Sequence, residues 1–279
     1  MALLGIMQGR LLPPMAGRFQ CFPRGRWQEE FPLAAEAGLD SIEWIYDAFG
    51  VDENPLATEA GIARIRDLAA RHKIQVRSVC ADWFMDFPLV RTTSEQATER
   101  THQLCWLLGQ SRKAGISRVV LPFVDASKIT DDQDAQAVIA VLNRVLPVAE
   151  KLGMELHLET SLAPHSFAAL LAHIPHPLLK INYDSGNSAA LGYDVREEFS
   201  AYGKRIGSVH LKDRQYAGGT VALGSGNADF PALFEVLTSI QYEGDFILQV
   251  ARGSDGDELA WIKHTMALVK PYLQPWLRN

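Results

Sequence analysis

The chain lacks the features that would place it outside ordinary globular proteins. Only 3 cysteines occur in 279 residues, without CxxC spacing, which argues against a disulfide framework and favours a reducing compartment. No run of about 18 uncharged apolar residues occurs, so we expect neither a signal peptide nor a membrane span and predict a cytoplasmic protein. Acidic residues outnumber basic ones, 33 to 27, which argues against nucleic acid or an anionic membrane as partner. A small molecule is the expected partner.

What the chain does contain is enough apolar sequence for a large core. Hydrophobic residues make up 47% and charged residues 22% of the composition. A chain of this length buries roughly three quarters of the surface that its unfolded form exposes, so it needs no structural metal. Any metal site in this chain should therefore serve function.

Short β-branched runs alternate with segments of helical period along the whole chain. Eight such runs occur, at residues 3–8, 41–46, 74–80, 118–124, 155–160, 179–184, 206–211 and 245–250. Helices are predicted between them at 27–37, 61–71, 94–114, 131–152, 165–173, 230–240 and 258–272. Ser94 is the expected N-cap of its helix, and Gly38, Gly115 and Gly153 follow three helices as C-terminal stops. This α/β pattern predicts one (β/α)8 TIM barrel, a single domain over residues 1–279.

A barrel of this kind predicts where chemistry should lie, because its loops gather at the carboxyl ends of the strands. Nearly every predicted strand ends in a polar side chain. The last four provide the sharpest set: Glu159, Asp184, His210 and Gln249. Two carboxylates, an imidazole and an amide oxygen on consecutive strand ends predict a site for one divalent ion, Mn²⁺, Mg²⁺, Co²⁺ or Zn²⁺. Taken singly, a strand-end carboxylate is often a helix cap, and a lone histidine in an apolar strand is often a core residue.

The same residues resemble the xylose-isomerase-like TIM barrels, which include sugar and sugar-phosphate isomerases and epimerases of the tagatose/psicose 3-epimerase type. The resemblance covers nearly the whole chain. It rests on the motifs GIMQGRL, SIEWIYD, LHLET, NYDSGN, VHLKD and FILQVAR at strands one, two, five, six, seven and eight. We therefore expect a metal-dependent sugar or sugar-phosphate isomerase or epimerase.

The resemblance also implies roles for the strand-end residues. In those epimerases Glu, Asp, His and Glu from strands five to eight hold the metal, and the two Glu form the acid/base pair. The first three roles fall on Glu159, Asp184 and His210, and the fourth falls on Gln249. An amide oxygen can ligate a cation but cannot take up a proton near neutral pH. Glu159 is then the expected base, removing a proton next to a metal-polarised carbonyl.

A second proton-transfer group has to come from elsewhere at the mouth of the barrel. The sequence offers Lys212, Asp213, His165 and Glu43, and we assign a catalytic role to Lys212. Residues expected to contact substrate follow other strands or lie in the loops. They are Arg10, Glu43, Trp83, His165, Asn187 and Arg252. The proline-rich loop 11–27 is expected to form part of a lid, with Arg18 and Phe19 as contacts.

Other functions remain open at this point. A related dehydratase or a hydroxypyruvate-type isomerase would begin with the same proton abstraction. A degenerate barrel that binds sugar without turnover would fit the loss of a carboxylate at Gln249. Hydrolysis in the manner of endonuclease IV requires more metal ligands than these strand ends supply. The chain is also compatible with a homo-oligomer.

Overall fold

The computed structural model describes residues 2–277. Eight strands close into one parallel barrel, and a short antiparallel hairpin follows the seventh of them. The strands are β1 (Leu4–Met7), β2 (Ser41–Ile45), β3 (Ser78–Cys80), β4 (Arg118–Phe123), β5 (Glu155–Thr160), β6 (Leu179–Asp184), β7 (Ile206–Leu211), the hairpin strands β8 (Asp213–Arg214) and β9 (Thr220–Val221), and β10 (Asp245–Leu248). The barrel order is β1-β10-β7-β6-β5-β4-β3-β2, which confirms the predicted fold class and all eight predicted barrel strands.

Helices connect the strands and cover the barrel on the outside. They are α1 (Glu30–Ala37), α2 (Glu59–His72), α3 (Trp83–Asp86), α4 (Ser94–Ala114), α5 (Asp132–Leu152), α6 (Pro164–Ala172), α7 (Ser185–Leu191), α8 (Val195–Tyr202), α9 (Phe230–Ser239) and α10 (Glu258–Leu273). All seven predicted helices are present, with ends shifted by a few residues. The short helices α3, α7 and α8 and the hairpin were not predicted. Over residues 2–277 no helix is both long and apolar enough to cross a membrane.

Local capping chemistry sets the helix ends. The N-cap of α4 is Thr93 rather than the predicted Ser94, because the Thr93 side chain accepts from the Gln96 backbone N–H while Gln96 accepts in return. Gly38, Gly115 and Gly153 end α1, α4 and α5 at φ values of 82°, 88° and 62°, as predicted. The loops therefore begin at defined points.

The floor of the barrel is closed by an ion pair between two strands that are not neighbours. Arg118, at the start of β4, donates to Asp245, at the start of β10, and both side chains are buried. Asp245 also accepts from the Leu3 backbone N–H at 2.9 Å. Polar groups at the amino-terminal end of the barrel hold the strands together, whereas active sites of such barrels form at the carboxyl-terminal end.

Gly5 marks a point where β1 and its neighbours approach too closely for a side chain. A Cβ there would lie 2.3 Å from Ser41 Oγ and 2.7 Å from Ile247 Cδ1. Gly5→Ala should lower the free energy of unfolding by about 1–3 kcal/mol, since overpacking displaces both neighbours. Urea titration followed by circular dichroism measures this.

The matched control is Gly109→Ala, in the interior of α4, where a Cβ meets nothing within 4 Å. That change should raise stability by about 0.5–1 kcal/mol because alanine favours the helix over glycine. Equal midpoints for Gly5→Ala and the unchanged chain would contradict the close approach.

Candidate functional site

The carboxyl ends of the strands surround a cavity of about 520 Å³. Its wall is built from the loop after β1, the ends of β3, β4, β5 and β10, and the hairpin. Predicted site residues on this wall are Glu159, Asn187, Lys212 and Gln249. Asp184 lies beside Glu159 and Asn187 in a small adjoining pocket.

Glu159 lies near the end of β5 and is nearly fully buried. Its two oxygens accept from Asn182 Nδ2 at 2.8 Å and from Asn187 Nδ2 at 2.7 Å, which fixes the plane of the carboxylate. Burial, together with the neighbouring Asp184 carboxylate, raises the pKa of Glu159 to about 7. A carboxyl group with that pKa can both take up and release a proton near neutral pH.

Asp184 ends β6 and at the same time caps α7. Its Oδ1 accepts from the Asn187 backbone N–H at 2.8 Å, so the short helix holds the carboxylate in one orientation. The register pairs Asp184 with His210 of β7, which brings a carboxylate next to an imidazole. Asp184 can therefore cap α7 and also serve as a metal ligand.

His210 is fully buried and is oriented from behind by Glu43. Its Nε2 lies 2.6 Å from Glu43 Oε1. Within the described residues, its Nδ1 is buried without a hydrogen-bond partner and lies 3.6 Å from Glu159 Oε2. Burial alone would lower the pKa of His210, but the carboxylates of Glu43, Glu159 and Asp184 together outweigh it and raise that pKa to about 9. A proton and a metal ion would compete for the same Nδ1 lone pair.

The ligand atoms of Glu159, Asp184 and His210 all lie within 4.8 Å of one another. A His whose far nitrogen is held by a carboxylate, with its near nitrogen facing two carboxylates, is the usual arrangement of a metal-binding imidazole. Gln249 Oε1 points to the same cluster, since it accepts from Lys212 Nζ, which also donates to Asp184. The donor set present here therefore fits a divalent ion.

Lys212 brings a positive charge into this cluster. Its Nζ donates to Asp184 Oδ2, Asn187 Oδ1 and Gln249 Oε1, each at 3.3 Å. Of the four residues considered for a second proton transfer, Lys212 is the one that lines the cavity. Asp213 is buried behind the wall, where it accepts from the backbone N–H groups of residues 224, 226 and 228.

The structure does not bring five of the six predicted contact residues to the cavity wall. Arg10 is buried and donates to Val250 O, Phe19 O and Gln20 Oε1, and burial lowers its pKa to about 9. Arg252 donates to backbone carbonyls of Gly9, Leu12 and Phe19. Both guanidinium groups thus secure the loop after β1 from behind instead of facing a ligand.

Trp83 and His165 are also placed away from the cavity wall. The Trp83 ring stacks on Phe87 with centroids 4.4 Å apart. His165 begins α6 with a side chain that is 87% exposed, 3.5 Å from Glu197. Glu43 reaches the site only through His210, so it is a positioning residue. Of the predicted substrate contacts, Asn187 alone lies on the wall.

Several wall residues are not among the predicted catalytic, metal and substrate-contact residues. Asp82 follows β3 directly, and Gln20 comes from the loop after β1, where no periodicity marks it. Phe19 of the same loop lies on the wall, as expected for a lid residue. Lys128 and Arg214 add two positive charges, and Arg214 Nη1 donates to Asn187 Oδ1 at 2.9 Å. Asp82 is one of the polar side chains that follow the predicted strands, although no role was assigned to it, whereas no sequence signal marks Gln20.

Comparison with known proteins gives a consistent result. The family model described as "Xylose isomerase-like TIM barrel" matches residues 31–272. The putative L-ribulose-5-phosphate 3-epimerase SgbU of Escherichia coli (strain K12) is 24% identical over 242 residues, covering 80% of this chain and 83% of that protein. The family match confirms the resemblance that the strand-end motifs predicted.

Two solved structures show the likeness of fold. An L-ribulose 3-epimerase superposes with a TM-score of 0.77 at 20% identity, covering 99% of this chain and 95% of that chain. The IOLI protein, solved with a zinc atom, superposes with a TM-score of 0.75 at 16% identity, covering 99% of this chain and 100% of that chain. At these identities the comparison establishes the architecture alone.

Gln249→Glu should tighten binding of Mn²⁺, because it restores a negative charge to the ligand set. We expect the dissociation constant to fall about tenfold or more, equivalent to ~1.4 kcal/mol, measured by isothermal titration calorimetry. The matched control is Thr220→Glu, which adds the same charge to the cavity wall outside the ligand set. Equal effects of the two changes would mean that Gln249 is not a ligand.

Proposed function

Because the chain belongs to the xylose isomerase-like TIM barrel family, we propose that it is a sugar or sugar-phosphate isomerase or epimerase that uses one divalent metal ion. The observation that carries this proposal is the convergence of Glu159, Asp184 and His210 within 4.8 Å beside the cavity. The relatives named as ribulose and ribulose-phosphate epimerases support a ketose as substrate.

Glu159, Asp184 and His210 would hold the ion, with Gln249 as an uncharged fourth ligand. When bound, such an ion polarises a carbonyl and its neighbouring hydroxyl, which makes the adjacent C–H bond more acidic. Glu43 keeps the His210 imidazole turned toward the site, since it holds the far nitrogen at 2.6 Å. Carboxylate and amide oxygens with one imidazole nitrogen suit several divalent ions, so the set does not select one metal by softness.

Glu159 is the group that removes the proton in this proposal. It lines the cavity, and two asparagine amides hold its carboxylate in place. Proton transfer by one positioned carboxylate contributes about 10²–10⁴-fold to the rate. Because the pKa of Glu159 is about 7, this residue can release the proton again after the substrate has rearranged.

Lys212 and Asn187 bind and orient the oxygens of the substrate. The Lys212 ammonium already donates to three oxygens, so a substrate oxygen that gains negative charge can take the place of one of them. This is the catalytic role that we propose for Lys212. Asn187 can hydrogen-bond a hydroxyl group while its backbone stays fixed in α7.

The cavity has room for a monosaccharide with a charged substituent. Its volume of about 520 Å³ lies in the range of small-molecule sites, about 300–1,000 Å³. Lys128 and Arg214 on the wall would pair with a phosphate, which extends the proposal to sugar phosphates. Phe19, half-exposed at the entrance, would cover the bound sugar and limit access of water.

Glu159→Gln should abolish exchange of the substrate's α-hydrogen with solvent, by about 10²-fold or more, because the amide cannot take up a proton. The measurement is deuterium incorporation into L-ribulose, L-ribulose 5-phosphate and D-tagatose in D₂O with Mn²⁺. Glu155→Gln, on the same strand at the opposite end of the barrel, is the matched control and should leave exchange unchanged.

The same assay tests the proposal as a whole. A chain that binds these sugars, raising its melting temperature, yet exchanges no hydrogen would be a binding protein and not an isomerase. Undiminished exchange in Glu159→Gln would remove Glu159 as the base.

A further inference from the structure

The proposed epimerisation has one requirement that the residues discussed so far do not meet. Inverting a carbon requires removal of its proton on one face and return of a proton on the other. Glu159 serves one face. The amide of Gln249 cannot carry a proton. Lys212 is not assigned this task, because its Nζ donates to Asp184, Asn187 and Gln249 and in the proposed function it binds a substrate oxygen instead.

Three carboxylates from the described residues line the cavity: Asp82, Asp125 and Glu159. Asp125 lies on the same side as Glu159, because β4 pairs with β5 in a register that places Pro122 beside Glu159. Asp125 is also exposed to solvent. Asp82 follows β3, which is separated from β5 by β4 in the barrel. Asp82 is therefore the wall carboxylate farther from Glu159 around the rim, two barrel strands away.

Hydrogen bonds connect Asp82 to the position where the second carboxylate is missing. Gln249 Nε2 donates to Gln20 Oε1 at 3.0 Å, and Gln20 Nε2 donates to Asp82 Oδ2 at 2.7 Å. Gln20 thus spans the space between β10 and β3 along the cavity wall. Arg10 Nη2 donates to the same Gln20 oxygen at 3.0 Å, which fixes the direction of the amide.

We propose that Asp82 is the second acid/base of the site and acts on the substrate face opposite Glu159. This inference rests on the proposed function. In one direction Glu159 takes the proton from the carbon beside the carbonyl, and the electron pair of the broken C–H bond enters an enediolate. Asp82 then gives its proton to the same carbon from the other face, and the enediolate electron pair forms the new C–H bond. Asp82 ends ionised and Glu159 protonated, and exchange with water restores both.

The surroundings of Asp82 suit a group that holds a proton part of the time. Its two oxygens accept from Gln20 and from Cys80 Sγ, the latter at 3.1 Å, and no cation pairs with it among the described residues. Burial raises the pKa of Asp82 above its usual value, although the hydrogen bonds from Gln20 and Cys80 act in the opposite direction.

The test is Asp82→Asn with Mn²⁺, L-ribulose and its C3 epimer in D₂O. Deuterium incorporation should persist within about threefold for the epimer whose hydrogen faces Glu159, since that step is untouched. Incorporation into the other epimer, and interconversion of the two, should fall about 10²-fold or more. A merely structural residue would lower all of these together, along with the melting temperature and the affinity for Mn²⁺.

Asp125→Asn is the matched control, because it removes the other non-ligand carboxylate of the same wall, and it should leave both exchange rates unchanged. Should Asp82→Asn fail to fold, Asp82→Glu carries the test. Its displaced carboxyl should slow interconversion while sparing exchange on the Glu159 face.

Each outcome separates the two proposals. Interconversion at the unchanged rate in Asp82→Asn, or equal loss of exchange from both epimers in a folded variant that binds Mn²⁺, would overturn the role of Asp82 alone. A parent chain that neither exchanges nor converts L-ribulose, its 5-phosphate or D-tagatose would overturn the proposed function, and the role of Asp82 with it.

Discussion

The hydrogen bond between Glu43 and His210 is the contact on which the site depends. It joins β2 to β7 across the interior of the barrel at 2.6 Å, with both side chains fully buried. A buried carboxylate is costly in free energy unless it is paired and hydrogen-bonded, and the His210 imidazole is that partner for Glu43. The contact therefore serves the barrel and the site together, since it turns the free nitrogen of His210 toward Glu159 and Asp184.

The distribution of charge follows from one uncharged residue. Because Gln249 is uncharged, the cluster has only the two carboxylates of Glu159 and Asp184, and the ammonium of Lys212 lies among the oxygens of Asp184 and Gln249. The amide of Gln249 then uses both of its ends, accepting from Lys212 and donating to Gln20. Under the proposed function, Gln249 can therefore serve ligation only, because its amide cannot carry a proton.

The fold and the centre of the site could be predicted because barrel strands obey simple rules. Strands buried on both faces appear as near-continuous apolar runs, and their carboxyl ends meet at one rim, which predicted Glu159, Asp184 and His210 as neighbours. The outer contacts could not be predicted in the same way. Arg10 is buried by backbone carbonyls of a long loop, and Gln20 reaches the wall through that loop. Both placements depend on tertiary contacts, which leave no periodic pattern in the sequence.

Asp213, in the first strand of the hairpin, fixes one side of the rim. Its carboxylate gathers three backbone N–H groups from residues 224, 226 and 228, so the segment that returns from the hairpin is tied to the barrel before any ligand arrives. Ordering that segment costs nothing further when a small molecule enters, because its conformational freedom has already been lost in folding. Under the proposed function, a ligand would thus meet a rim that is already ordered on the hairpin side, with the exposed Phe19 ring of the loop after β1 on the same cavity wall.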